Sequence, residues 1–343
     1  MEIVIPGTLC VAVSDASMVA EARRRVAVLS METGFSETQA GRLAIVTTEL
    51  ATNLVKHADG GELYLVPTQT PAGPAIDLLA VDRGGGMSDV DACLRDGFST
   101  AGSPGTGLGA ISRLSSVFDM HTIVGAGSVV HVRIFGRGEP VAASLPRADV
   151  FGLCLAYPGL TTVGDAWIHR QRGAREVVLV VDGLGHGDPA TQASQEALTA
   201  FARTADDASP AEILEELHLS LRSTRGAVAA VASIDFEREE MTYGGVGNIA
   251  AMIVCGSETK RLMSHNGTLG GNAPRLRQLP YPFVRGSLLV MSSDGLSTSV
   301  DVVRYPGLGA RSAAVVAGTL MRDFRRERDD ATVVAIREAR STP

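Results

Sequence analysis

Two sets of residues in this sequence have the types and spacing to handle phosphate. In the first, Glu49 and Asn53 stand four residues apart in a helix-like stretch, so a carboxylate and a carboxamide share one face. Further along, Asp82-Arg-Gly-Gly-Gly86 follows an apolar run, where an aspartate of fixed direction can address a base while glycines let the backbone turn beside it. A third piece, GFSTAGSPGTGLG from Gly97 to Gly109, leads into a helix-like run from Ala110 to Ser116. Backbone N–H groups at such a loop-to-helix junction can hold phosphates. Taken singly, a glycine cluster is more often a turn, and Glu49 or Asn53 more often a solvated helix position. The order of the three pieces is what points to a nucleotide.

The second set is a series of aspartates that leave apolar strands beside glycine or small residues. They fall in Val163-Gly-Asp165, in VVDGLGHG from Val180 to Gly187, in Ser292-Ser-Asp-Gly295 and in Arg328-Asp-Asp-Ala-Thr332. One Asp-Gly alone is usually a turn. Hard divalent cations, however, take carboxylate, carbonyl and water oxygens, and acids fixed just past buried strands lose little entropy on binding. Four such acids can converge on a metal pair. His186 and His265 have no assigned role, Trp167 reads as packing, and Lys56 with His57 read as cations at a helix C-terminus.

These residues need a scaffold. Ser36-Glu-Thr-Gln39 has the form of a capping box, and Leu43, Val46, Leu50 and Leu54 recur at helical spacing until Gly60-Gly61. Glu62 to Val66 and Ala75 to Val81 read as strands, and Phe118 to Val124 with Ser128 to Phe135 as a hairpin about Gly125-Ala-Gly127. GRGEPVAASLPRAD, from Gly136 to Asp149, has two prolines and no apolar periodicity, which marks a boundary. Beyond it come strand-like runs at Gly152 to Ala156, Val177 to Val181, Ala227 to Asp235, Ala250 to Val254, Ser287 to Met291 and Ala331 to Ile336. Amphipathic pieces from Pro210 to Leu221 and Arg311 to Phe324 can cover sheet faces, so a layered α+β arrangement is expected.

Composition sets the bounds. A length of 343 residues suggests two domains, and 45% hydrophobic with 20% charged residues is globular. The net charge of -7 offers no basic footprint for nucleic acid. The apolar runs fall well short of the roughly 20 residues that cross a bilayer. The start, Met1-Glu2-Ile3-Val4, lacks a secretory signal, so a cytoplasmic location with reduced thiols at Cys10, Cys93, Cys154 and Cys255 is expected.

In its order of motifs the first half resembles the GHKL ATPases, and Asp96 to Gly102 brings it close to the RsbT-type anti-sigma-factor serine kinases. The resemblance implies a Bergerat α/β sandwich over 1–136 that binds ATP and Mg2+. Asn53 would hold Mg2+, Asp82 would bond the adenine amino group, and Gly84 and Gly86 would shape the pocket. Gly105, Gly107 and Gly109 would cradle phosphates, and Glu49 would accept the proton of an incoming serine hydroxyl. Leu108-Gly109-Ala110 departs from the Leu-Pro-Gly of close relatives.

After a linker over 137–148, residues 149–343 resemble the PPM metal-dependent serine/threonine phosphatases, within them the SpoIIE and RsbX-like members. This implies an αββα sandwich with two Mn2+ or Mg2+ ions. Asp182 would bridge them, the Gly183 carbonyl would reach one, Asp294 and Asp329 would complete the shell, and Asp165 would bind directly or through water. Asp330 stands where many relatives carry Asn and would act from outside that shell. The family likeness implies STAS-domain substrates, phosphorylated by one half and dephosphorylated by the other, and possible release of a downstream regulator. The alternative is a nucleotide-gated binding module that grips a partner without phosphoryl transfer and regulates the fused phosphatase.

Overall fold

The computed structural model describes residues 2–4, 7–70, 72–94, 107–138, 147–273 and 275–339. The chain forms two compact units, one of residues 8–146, the other of 147–343 together with 1–7. The expected first domain began at residue 1. Instead β1 (Glu2–Val4) pairs antiparallel with a strand of the second unit, Ile3 opposite His169. A sheet edge there offers unpaired N–H and C=O groups that an extended segment can satisfy.

The first unit is built from β2 (Leu9–Val13), α1 (Ala16–Glu32), α2 (Glu37–His57), β3 (Gly61–Thr70), β4 (Gly73–Val81), α3 (Val90–Leu94), α4 (Gly107–Leu114), β5 (Val117–Ile123) and β6 (Gly127–Phe135). Its antiparallel sheet has the order β2-β3-β4-β6-β5. On α2 the predicted stripe Leu43, Val46, Leu50 and Leu54 is buried against Leu63, Leu65, Ile76, Leu78, Val130, Val132 and Ile134 of the sheet. Ser36 caps α2 by accepting the Gln39 N–H, and the helix ends at Ala58, just before the glycine pair. This packing fixes the face that carries Glu49 and Asn53.

On the other face of the same sheet Asp77 is fully buried on β4. Its carboxylate accepts from the Thr68 hydroxyl at 2.6 Å and from Arg133 Nε and Nη2 at 2.8 and 3.0 Å, and it pairs with His131 Nε2 at 2.6 Å. Burial opposes ionisation, but the Arg133 guanidinium and His131 outweigh it and hold Asp77 at about 2, below its ordinary 3.8.

The second unit contains β7 (Ala148–Leu155), β8 (Asp165–Arg172), β9 (Arg175–Gly183), α5 (Asp188–Arg203), α6 (Pro210–Ser220), β10 (Ala227–Asp235), β11 (Glu240–Val246), β12 (Ala250–Cys255), β13 (Glu258–Arg261), β14 (Leu279–Pro282), β15 (Leu288–Ser292), α7 (Ala313–Phe324) and β16 (Ala331–Glu338). Two sheets, β1-β8-β9-β10-β11-β14 and β13-β12-β15-β16-β7, face each other. Trp167, Val178, Val180, Ala230, Leu289, Met291 and Val334 fill the space between them. Alternate residues Ile168, Val177, Leu179 and Val181 instead meet Ala193, Ala197, Phe201 and Leu214 of α5 and α6. On the far side α7 packs on β7 and β16, which completes the expected αββα sandwich. Trp167 is a core residue, stacked where any side chain at Gly152 would stand.

Because the folded Asp77 ionises below its unfolded counterpart, its contribution is full above pH 3.8 and is lost as pH falls toward about 2. Asp77→Asn should therefore cost about 3–5 kcal/mol at neutral pH, read by urea unfolding, and the deficit should narrow as the pH falls through that window. A variant within about 0.5 kcal/mol of wild type at pH 7 would contradict this.

Candidate functional site

Antiparallel pairing brings four strand ends to one end of the sandwich: the start of β8, the end of β9, the end of β15 and the start of β16. Asp165 and Asp182 are direct cross-strand partners on β8 and β9. Both continue the inward-facing rows of Trp167 and of Val178 with Val180. Ser292, the last residue of β15, pairs with Val333 of β16, so Asp294 and Asp329 lie just beyond that ladder. The two sheets are tied across this end by Ser293, whose hydroxyl donates to Asp165 at 2.6 Å and accepts the Thr332 N–H at 3.0 Å.

The consequence is electrostatic. Asp165 is raised above the usual carboxylate range, foremost by burial and further by the charges of Asp330 and Asp294, although the Ser293 and Thr332 hydroxyls favour its anion. Asp182 is raised as well, by burial and then by Asp165, Asp294, Asp329 and Asp330. Burial and Asp294 likewise lift Asp329. The charges of Asp294 and Asp330 thus add to burial in lifting Asp165, Asp182 and Asp329.

Their protein partners are mostly neutral donors. Asn248 Nδ2 donates to Asp294 at 2.7 Å, and Asp330 accepts from the backbone N–H groups of Tyr157 at 2.7 Å and Gly164 at 2.8 Å. Asp330 is therefore a latch that holds the loop before β8 onto the start of β16. Ser293, Thr332 and Asp330 lie within two of the aspartate motifs, where the sequence assigns a role to Asp330 alone of the three, and Asn248 lies in no motif. Among the described residues no three His, Cys, Asp or Glu side chains have closed to the spacing that encloses one ion. The donor set itself, oxygen-rich, anionic and short of positive charge, fits hard divalent cations.

In the first unit Glu49 and Asn53 share a face of α2, and the first residue of α4 lies opposite them. A Cβ on Gly107 would stand 3.5 Å from Glu49 Oε2 and 3.5 Å from Asn53 Oδ1. Asp82 directly follows β4, and its Oδ1 accepts the N–H groups of Gly84 at 2.8 Å and Ser128 at 3.2 Å, which orients the carboxylate. Gly86 has φ +65°, and any Cβ there would collide with the Ile123 carbonyl, so only glycine serves. Gly109 is buried in α4, whereas Gly105 and the rest of 95–106 lie outside the described residues. Gly107 therefore links the last of the three pieces to the first.

Residues 12–134 match the model of the histidine kinase-like ATPase domain, and residues 172–338 match that of stage II sporulation protein E, SpoIIE. The chain joins a histidine kinase-like ATPase domain to a SpoIIE-type PPM phosphatase domain. It is 27% identical over 121 residues to the serine/threonine-protein kinase RsbT of Bacillus subtilis strain 168, spanning 35% of this chain and 91% of RsbT. It is 24% identical over 177 residues to the phosphoserine phosphatase RsbX of the same organism, spanning 51% of this chain and 87% of RsbX. The crystal structure of RsbX in complex with magnesium shares its fold, with a TM-score of 0.50 at 24% identity over 56% of this chain and 96% of that one. A structure from work on the bacterial stressosome, a modular system adapted to control secondary messenger signalling, gives 0.52 at 25% identity, covering 56% of this chain and all of that one. No described helix is long and apolar enough to cross a membrane.

Asp330→Ala would strand one buried and one half-buried backbone N–H group, a loss of about 1–3 kcal/mol. Urea unfolding should show it, together with a fall in phosphatase turnover. Unchanged stability would refute the latch.

Proposed function

We propose that this chain is a bifunctional, cytoplasmic partner-switching regulator. Its first unit transfers the γ-phosphoryl group of ATP to a serine or threonine of a STAS-domain protein, and its second removes phosphate from such a protein. The observation that carries the proposal is the cluster of five carboxylates at the shared end of the two sheets. In this reading Asp182, the Gly183 carbonyl, Asp294 and Asp329 hold two Mn2+ or Mg2+ ions. Such a pair supplies a water of lowered pKa and a clamp on the phosphate oxygens. Asp165, gripped by Ser293 from the opposite sheet, binds an ion directly or through water, Asn248 aims Asp294, and the Asp330 latch holds the loop before Asp165.

In the first unit Asn53 holds Mg2+ on the triphosphate, and Asp82, aimed by its two backbone donors, meets the adenine amino group. Gly84 and Gly86 shape the base pocket, and Gly105, Gly107 and Gly109 line the phosphates. Glu49, facing Gly107, accepts the hydroxyl proton as the phosphoryl group passes from ADP to the serine oxygen. The names of RsbT and RsbX, a kinase and a phosphatase, support both activities. STAS partners fit because a phosphate on a surface serine breaks an interface by repulsion and desolvation, releasing a downstream regulator.

A phosphorylated STAS protein offered to the full chain should lose phosphate only with Mn2+ or Mg2+, and Asp294→Ala should lower turnover by at least about 100-fold. Metal-independent turnover would refute the phosphatase assignment.

Labelled ATP should transfer its phosphate to the unphosphorylated STAS protein, and Asn53→Ala should abolish transfer. Glu49→Ala separates transfer from grip: lost labelling with retained partner binding supports the kinase. Unchanged cellular output with that variant supports the nucleotide-gated binding module.

A further inference from the structure

The acids themselves offer a phosphate monoester no donors, so a cation of the chain at the rim of the cluster would help to receive one. Arg225 stands there. Ala227 pairs with Gly183, and the Leu184 N–H donates to the Gly226 carbonyl at 3.1 Å, so the chain at 225 runs beside the loop that follows Asp182. The guanidinium lies over that loop: Arg225 Nη1 would be 3.0 Å from a Cβ on Gly185. Gly185 has φ +89°, and its bare Cα leaves the space the guanidinium uses. The Gly185 carbonyl in turn lies 3.6 Å from where a Cβ on Gly164 would be, next to Asp165.

Arg225 is exposed, and among the described residues it makes no hydrogen bond or ion pair. No hydrogen bond or ion pair among the described residues uses its donors, which leaves them for an anion at the Gly185 loop. Arg326, another exposed cation near the cluster, already acts on Asp329, whose carboxylate it stabilises. His186, in the same loop, lies 5.9 Å from the Tyr157 ring and turns toward an aromatic neighbour.

Resting on the phosphatase reading above, we propose that Arg225 is the substrate-binding residue that receives the phosphate monoester, its planar fork donating to two non-bridging oxygens. Anchored by the Leu184–Gly226 bond, the fork would hold the phosphoserine at the mouth of the cluster and would hold product phosphate in the same way.

The test uses the full chain with Mn2+, p-nitrophenyl phosphate and a phosphorylated STAS protein, with inorganic phosphate as inhibitor. Arg225→Ala should raise KM for both substrates by about 10-fold or more, with kcat within about 3-fold, and weaken phosphate inhibition in parallel. Arg225→Lys should recover part of each loss, since it restores charge without the fork, and Arg225→Gln should recover little. An active wild type with unchanged KM and unchanged phosphate inhibition in Arg225→Ala would overturn the proposal. So would a fall in kcat alone, or equal rescue by Gln and Lys. A wild type without metal-dependent activity on either substrate would instead overturn the phosphatase reading itself.

Discussion

The second unit is organised around an unfavourable interaction. Asp165, Asp182 and Asp329 are held where burial already penalises their charges, and the neighbouring charges of Asp294 and Asp330 add to that penalty. A fold bears such repulsion only if rigid elements impose it, and the rigidity comes from register. Asp165 cannot move from Asp182 without slipping β8 against β9, and a slip of one residue would turn Trp167 out of the core. The Ser293 bridge locks the second sheet to the first at the same level. Stability given up at this end is supplied by the aliphatic layers on both sides of the central sheets.

In the proposed function the first unit presents polar groups to phosphate by another route. It uses one helix face and a sheet-end aspartate rather than a ring of acids. Leu43, Val46, Leu50 and Leu54 fix the rotation of α2, which in turn fixes where Glu49 and Asn53 point. Backbone donors from Gly84 and Ser128 set the Asp82 carboxylate. The second unit thus places its acids at strand ends, whereas the first holds Glu49 and Asn53 on a face within α2 and Asp82 just past the end of β4.

The legible parts of the fold were those in which one physical signal dominated. The apolar run Ala227–Asp235 is a strand over its whole predicted length, and α2 begins and ends where its cap and glycines place it. Elements with weak signals escaped. α1 buries only Ala22, Val26, Leu29 and Ser30 among many arginines and glutamates, and α5 buries mainly alanines, which add little to a hydrophobic period. β8 carries His169, Arg170, Gln171 and Arg172, so its strand character rests on tertiary pairing rather than on its own residues. The acids could be picked out because each stands near a small residue at a strand end, although Asp165 opens β8 and Asp329 precedes β16 instead of leaving a strand as Asp182 and Asp294 do. Ser293, Asn248 and Arg225 could not, because a neutral donor or an exposed arginine has meaning only once its neighbours in space are known.

If the repulsion among the acids is what the second unit is built to hold, the direct measurement is a calorimetric titration of the full chain with Mn2+. The account predicts two ions bound per chain, and loss of both in Asp182→Asn, whose carboxylate sits within the field of the other four. A chain that takes up no Mn2+, or an Asp182→Asn variant that binds as wild type does, would contradict it.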